Sequence, residues 1–443
     1  MKKVKVRRGL KIPLHGSVKN KEFDHIVPKF VGILADDYFS LKPKFLVKEG
    51  DSVAKGDPLF EDKTNPGFFV RSPVCGTVNS INRGEKRALV SVILENDKNA
   101  SETPVTFRRS GNVSRDLNAA GLWDSFRERP FNRVPAIDAK PDHVFINACK
   151  TDVLELEPTD LIINNLDDFI RGIETIQKLT TNKIILCGSK YLPFGYFHKF
   201  DLSQRIIEGK FPSGNSSLHI QHIQPMKKSE KTWTIGWQDV LRIGKSMNTG
   251  KICHEKYVSV CGPACIEPKL VKTVPGANLE ELSAGNSKDN SRRVSGSLLY
   301  GNHGDNYSDF LGRYSNQLSL VSDERKATFF NWLKFGFKDH SNSNVFFSSI
   351  LKPKKFSFDT NINGGYRAIV PIGVFDEVNP FDIDPTLFLK SLAIADLVAL
   401  RELGIFDLVA EDMAIFSYVC PSKYDYVALF NECMEMIWKE ETS

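Results

Sequence analysis

Eight cysteines, at positions 75, 149, 187, 253, 261, 265, 420 and 433, are the first candidates for metal or redox chemistry. Their spacing argues against it. No two form a Cys-x-x-Cys, and the nearest pair, in Cys261-Gly262-Pro263-Ala264-Cys265, has no second pair close by in the chain. Neither a tetrahedral zinc site nor a four-thiolate iron–sulfur cluster finds its ligands there. The cysteines read as small buried hydrophobes in a reducing compartment. Phosphate chemistry lacks its glycine loop: the strand ends of residues 142 to 254 carry neither Gly-x-Gly-x-x-Gly nor Gly-x-x-x-x-Gly-Lys-Ser/Thr. The lone glycine of Cys187-Gly188-Ser189 cannot wrap a pyrophosphate. What remains suits binding. Asp37 and Tyr38 follow the apolar run Phe30-Val31-Gly32-Ile33-Leu34, so they fall at a strand exit where side chains can face a ligand or a partner. Phe131 stands among Arg127, Arg129 and Arg133; it suits stacking on a ring or packing inside the protein, and packing is the simpler reading. No nucleophile–base pair can be assigned.

The elements that must position these residues begin with a β unit over residues 45 to 95. Val47, Val53 and Leu59 are separated by two near-identical turns, Lys48-Glu49-Gly50-Asp51 and Lys55-Gly56-Asp57-Pro58. In each, glycine supplies a positive φ and Asp can bond the turn backbone. A strand start at Ser72 to Val78 and a turn at Asn82-Arg83-Gly84 lead to Ala88 to Glu95, a run apolar enough for burial on both faces. This pattern resembles the barrel-sandwich fold of biotinyl and lipoyl carrier domains. In such domains the modified lysine sits on a tight hairpin, near the place of Lys63. Here Asp62-Lys63-Thr64-Asn65-Pro66-Gly67 inserts a proline and extra residues, which favours a rigid structural module; the alternative is a carrier-domain protein modified at Lys63.

With 443 residues, 41% hydrophobic and 26% charged, the chain reads as a soluble protein of two to four domains. No stretch has the eighteen or more consecutive apolar residues of a membrane span. The start, MKKVKVRRGLKIPL, alternates positive and apolar residues in place of an apolar signal core, so a cytoplasmic protein with no cleaved signal is expected. A net charge of +5 is too modest for a dedicated nucleic-acid binder. The basic residues of the first eleven read as a solvated strand face, with an anionic membrane surface or acidic partner as the other use.

Further along, the Leu122 to Arg129 stretch predicts a short helix ended by Pro130, with Trp123 and Phe126 on one face. Residues 142 to 254 alternate strand and helix signals: strands at 144 to 146, 161 to 163 and 183 to 186, and a helix carrying Ile170, Ile173, Ile176 and Leu179 behind an Asp167 cap. That order implies a Rossmann-like parallel α/β domain without a dinucleotide motif. Two strands and a short helix at Leu279 to Leu282 imply a small α+β module. Phe329 to Phe337 is the densest aromatic patch, either a core strand or a membrane-interface or partner surface. The last hundred residues turn helical: Pro385 opens a helix through Leu400 with Gly404 as its C-cap, and Ser422 caps a last helix whose stripe holds Tyr426, Leu429, Cys433 and Ile437. The expected division is 1–100 barrel-sandwich with the basic N-terminal strand, 101–254 Rossmann-like, 255–330 α+β, 331–375 an aromatic-rich connector, and 376–443 a helical C-terminal domain.

Together these stretches resemble the NqrA family, one of the subunit families of the sodium-translocating NADH:ubiquinone oxidoreductase. The resemblance is carried along the whole chain by words such as Arg8-Gly9-Leu10, Leu59-Phe60-Glu61-Asp62-Lys63, Asn65-Pro66-Gly67, Arg129-Pro130-Phe131 and Val134-Pro135-Ala136-Ile137. It continues with Leu311-Gly312-Arg313-Tyr314, Val370-Pro371-Ile372-Gly373 and Val419-Cys420-Pro421. It implies that the α+β module is ubiquitin-like, of the SLBB type. It also implies a protein with no catalytic centre of its own, peripheral on the cytoplasmic side of a bacterial inner membrane and docked on integral subunits. FAD, FMN, riboflavin and iron–sulfur centres are expected in those partners and none in this chain, with ubiquinone as the substrate of the complex. The family further implies quinone-proximal or interface roles for Asp37, Tyr38, Pro43, Phe131 and Val134. Phe39-Ser40-Leu41 and Ser422 depart from the family's usual residues. The alternative within the same complex is a cofactor-free structural scaffold.

Overall fold

In the computed structural model, Gly50 and Gly56 take φ of 87° and 92°, the left-handed geometry their turns require. The structure describes residues 2–227, 230–305, 307–323, 335–337, 339–342, 345–351, 355–362 and 364–442. The turns link the strands of a barrel-sandwich. One antiparallel sheet runs Phe30–Leu34, Leu89–Asn96, Gly76–Arg83 and Ser52–Val53; the other runs Pro43–Phe45, Pro58–Asp62 and Phe69–Arg71. Leu89–Asn96 is buried at Leu89, Val92, Ile93 and Leu94, which explains its nearly unbroken apolar run. Lys63 is exposed on the turn after Pro58–Asp62. That turn is no free arm. Asp62 Oδ1 accepts from Lys42 N, Thr64 N and Thr64 Oγ1, while Asn65 Nδ2 donates to the Val134 and Pro135 carbonyls at 3.1 Å each.

The second sheet has six strands in the order Lys2–Lys5, Leu202–Glu208, Ile184–Gly188, His143–Ala148, Thr232–Gly236 and Arg127–Glu128. All pairs are parallel except the last. The basic N-terminal strand therefore lies on the edge of this sheet, away from the barrel strands that follow it in sequence. Its lysines point to solvent and Lys3 reaches Glu208 at 3.5 Å. Charged side chains of this kind protect an edge from further pairing.

Two local expectations fail here. Leu161 to Ile163 belong to the helix Pro158–Asn164, because Pro158 at its first turn and helical spacing outweigh a short β-branched run. The Leu122 stretch forms only one 3-10 turn, Trp123–Ser125, before Arg127–Glu128 joins the sheet edge. Trp123 and Phe126 are nonetheless fully buried, 5.4 Å apart, with Trp233 against both. The helix Leu166–Gln177 starts behind Asn165, with Asp167 in its first turn. It packs against Trp237–Thr249 so closely that a Cβ on Gly172 or Gly244 would overlap the facing backbone.

A five-stranded sheet follows, ordered Ser291–Ser295, Gln317–Ser322, Lys256–Cys261, Lys269–Thr273 and Phe23–His25, with the helix Leu279–Ser283 beside it. Of the aromatic patch, residues 329 to 334 lie outside the described residues. Phe335 and Phe337 are exposed and pack on Phe347. In the helical C-terminal part, the single helix expected through Leu400 is two: Pro385–Ala393 and Leu397–Glu402, parted by Ala395 at φ 53° and recapped by Asp396. The last helix, Tyr426–Thr442, is capped by Asp425, whose Oδ1 accepts from Val427 N and Ala428 N, while Ser422 Oγ donates to the Ala368 carbonyl.

Candidate functional site

The last helix carries two stripes. Tyr426, Cys433 and Ile437 turn into a core of C-terminal helices. Phe430 and Met434 belong to the same core and, with Trp438 at i, i+4 and i+8, also line a groove of about 750 Å³. Its opposite wall is residues 35 to 42, where the barrel strand Phe30–Leu34 runs out into the 3-10 turn Ala35–Asp37. Phe131 supplies the floor between them. Its ring stacks on Phe39 at 5.8 Å and 28° and meets Trp438 edge-on at 4.9 Å, and Phe406 closes on it at 6.1 Å. Arg133 lies over the Trp438 ring at 4.1 Å. The groove thus offers aromatic faces beside polar donors, a combination suited to a flat ring with oxygen substituents.

Of the residues expected to lie together, the fold assembles Asp37, Tyr38 and Phe131 on this groove. Pro43 and Val134 stand elsewhere. Pro43 begins the barrel strand Pro43–Phe45 opposite Asp62, and Val134 packs against the main core with its carbonyl held by Asn65. Phe131 does what either reading allows, since it is half-buried and stacked at once. Trp438, Phe406, Arg127 and Glu411 complete the groove, and sequence reasoning missed them as site residues. The one signal for Trp438 is its place four residues past Met434, on the stripe beside the one that reads as core.

Behind the groove sits a charged node. Tyr38 is buried and its hydroxyl donates to Asp124 Oδ2 at 3.2 Å; Arg313 donates to the same carboxylate through Nε at 3.1 Å and Nη2 at 2.9 Å. Arg313 Nη2 also reaches Asp239 Oδ1 at 3.0 Å, and the Arg313 backbone N–H reaches Asp37 Oδ2 at 3.0 Å. Arg242 is paired with Asp239 too. Burial works to raise the Asp124 pKa, yet the charge and hydrogen bonds of Arg313 overcome it and leave it below the ordinary carboxylate value. Asp37, with less compensation, is pushed by burial up to about 6. Burial lowers Arg242 to about 9, helped by the neighbouring Arg313 charge.

A second cavity of about 140 Å³ lies inward of the groove. The two share Arg127, Asn132, Val409 and Glu411 as lining. Glu411 is raised to about 7 by burial, then by the adjacent Asp412. All eight cysteines are buried free thiols, and burial raises Cys187 and Cys261 well above the usual thiol range. Among the described residues, no three His, Cys, Asp or Glu side chains gather as metal ligands, and no helix is long and apolar enough to cross a membrane.

Three family models match the chain. Residues 4–97 match the one described as the NqrA N-terminal barrel-sandwich hybrid domain, 109–252 the NqrA second alpha/beta domain, and 257–305 the NQRA C-terminal domain. Among curated relatives, the NqrA subunit of the Na(+)-translocating NADH-quinone reductase of Neisseria meningitidis serogroup B is 37% identical over 99% of this chain and 100% of its own. Those of Pasteurella multocida, 37% identical, and Teredinibacter turnerae, 35% identical, are covered to the same extent. A chain of the NAD+-reducing nickel–iron hydrogenase aligns at 14% identity over 73% of this chain and 62% of its own with a TM-score of 0.37, too low to carry weight.

Proposed function

The chain belongs to the family of NqrA subunits of Na(+)-translocating NADH-quinone reductases, and from that premise we propose that it forms part of the quinone-binding region of such a complex. The observation that carries this reading is the aromatic groove: Phe39, Phe131 and Trp438 pack on one another and together line a space of about 750 Å³. A ubiquinone head is flat, apolar on its faces and an acceptor at its carbonyl oxygens, so it needs stacking partners and a few donors. Arg127 and Asn132, which carry donors, line the same groove.

In this reading the chain binds and positions; electrons from NADH reach quinone through flavins and iron–sulfur centres held by other subunits. It docks on integral subunits at the cytoplasmic face of the inner membrane. Exposed Tyr366, Val370, Ile372, Ile394 and Val398 in the C-terminal part are the apolar side chains that such a contact would cover.

The test is photolabelling of the intact complex with a ubiquinone carrying a photoreactive group on its ring. Label on peptides containing residues 35 to 42, 131 or 427 to 438 supports the reading. A complex that assembles and reduces quinone while this chain stays unlabelled rejects it in favour of a scaffold. The carrier alternative has its own readout, a mass increment on Lys63 in the chain taken from the native organism.

A further inference from the structure

The parallel strands of the six-stranded sheet change direction of connection between His143–Ala148 and Thr232–Gly236. From the first, the chain moves outward to Ile184–Gly188 and then Leu202–Glu208; it then crosses back to place Thr232–Gly236 on the other side. In open α/β sheets this switch point, outside the carboxyl ends of the strands, is where a ligand finds a crevice. The 140 Å³ cavity lies there, lined by Asn147 and Cys149 from one strand end and by Thr234, Ile235 and Gly236 from the other.

Its chemistry is unusual for a buried space. Arg129 and Arg242 both line it, only 5% and 4% exposed, and in each the Nε and Nη1 atoms are buried without a hydrogen-bond partner. Leaving buried guanidinium donors unmet is costly, so a missing acceptor is the natural explanation. Lys256, 2% exposed, lines the same space with its Nζ on the Arg313 carbonyl at 2.6 Å. The thirteen-residue helix Trp237–Thr249 begins at the cavity wall behind Gly236, and no side chain caps its first turn. Its N–H groups and dipole favour an anion.

The cavity's own carboxylates are largely engaged. Glu155 accepts from Thr151 N, Asp152 N and Asn316 Nδ2, and Asp239 is paired with Arg242 and Arg313. Asp412, near Arg129, accepts from Asn215, Ser217 and Val409 N. Glu411 stands at the mouth, and burial raises its pKa to about 7.

We propose that this switch-point cavity binds one phosphate-sized oxyanion, between the guanidiniums of Arg129 and Arg242 and the N-terminus of the helix Trp237–Thr249. The space is well below the ~300–1,000 Å³ of sites that enclose a drug-sized ligand, so the group held is a phosphoryl group and no whole nucleotide. It is free phosphate, or the phosphate of an ester whose remainder points toward Arg127 and Asn132, where the two spaces meet.

The test compares thermal unfolding of the full chain in inorganic phosphate, in glycerol 3-phosphate and in chloride, at equal ionic strength. Phosphate at about 10 mM is expected to raise Tm by about 2 °C or more over chloride. A larger rise with glycerol 3-phosphate assigns the ester; an equal or smaller one assigns the free ion. The variant Arg242→Gln should lose the rise. Because it alters a buried pair, Gly236→Asp is the second variant: a Cβ there meets no atom within 4 Å, and Asp would cap the helix and occupy the anion's donors. It is expected to keep or raise Tm in chloride and to abolish the phosphate increment. No increment in the unmodified chain, or a full increment in Gly236→Asp, overturns the proposal.

Discussion

The guanidinium of Arg313 grips the carboxylate of Asp124 at two points, 3.1 and 2.9 Å, across 189 positions of sequence. Both side chains are buried, and Tyr38 donates to the same carboxylate. One arginine from the loop before Gln317–Ser322 thereby ties the barrel-sandwich exit at Asp37 and Tyr38, the 3-10 turn at Asp124 and the helix residue Asp239 into one node behind the aromatic groove. Asp37 and Tyr38 belong at once to that node and to the groove wall.

Replacing Arg313 should be severe. Arg313→Met leaves Asp124 buried with its main counter-charge removed and Asp239 with Arg242 as its remaining partner, and loss of one partner of such a pair costs about 3–5 kcal/mol. Urea unfolding of the purified chain measures it. A loss under about 1 kcal/mol would mean that the node contributes little to stability.

The tight contact between Leu166–Gln177 and Trp237–Thr249 sets a second expectation. Gly244→Ala gains helix propensity of about 1 kcal/mol but forces a methyl into the Asp168 carbonyl, an overpacking that costs about 1–3 kcal/mol or more. The net should be destabilising. A rise in Tm for Gly244→Ala would show that the two helices separate readily.

Acid should unfold the protein partly through its buried histidines. Burial lowers His254 to about 3, with the Arg242 charge adding to it, and lowers His219 to about 4. Between those values and the ordinary 6.5, the unfolded chain binds protons that the folded chain refuses. Their contribution is therefore complete above about pH 6.5 and declines as pH falls, by up to about 1.4 kcal/mol per unit for each group. Asp37 and Glu411, raised by burial, act in the opposite sense. The discriminating measurement is thus the difference between unmodified protein and His254→Gln in urea midpoint from pH 7 to 4.5. A difference that stays constant with pH would falsify the assignment.

In the assembled complex, Phe131→Ala and Trp438→Ala should each raise the apparent KM for ubiquinone about 3- to 10-fold, the value of one aromatic contact, with kcat little changed. Val134→Ala, away from the groove, serves as the control. If both ring variants match the control in quinone kinetics, the groove does not hold the quinone.

Much of this organisation is legible in the residues. The paired Gly-Asp turns announce the barrel-sandwich strands, and the period of Ile170, Ile173 and Ile176 announces a helix, because both are local consequences of backbone geometry. Short signals fare worse. Leu161 to Ile163 suits strand or helix alike until Pro158 and the packing around it choose, and one helix predicted from Pro385 to Leu400 breaks at Ala395 because Asp396 recaps the chain.

By itself the sequence determined the modules, the absence of a glycine phosphate loop and the family words that run from end to end. Arg313 stands inside one of those words, but nothing near it in the chain names its carboxylates at 37, 124 and 239. The same holds for Trp438, which faces Phe39 and Phe131 only after the last helix docks. Local spacing fixes secondary structure through short-range geometry. Which buried charges are neutralised, which rings meet and which arginine donors go unpaired depend on contacts between segments hundreds of residues apart, and only the tertiary structure decided those.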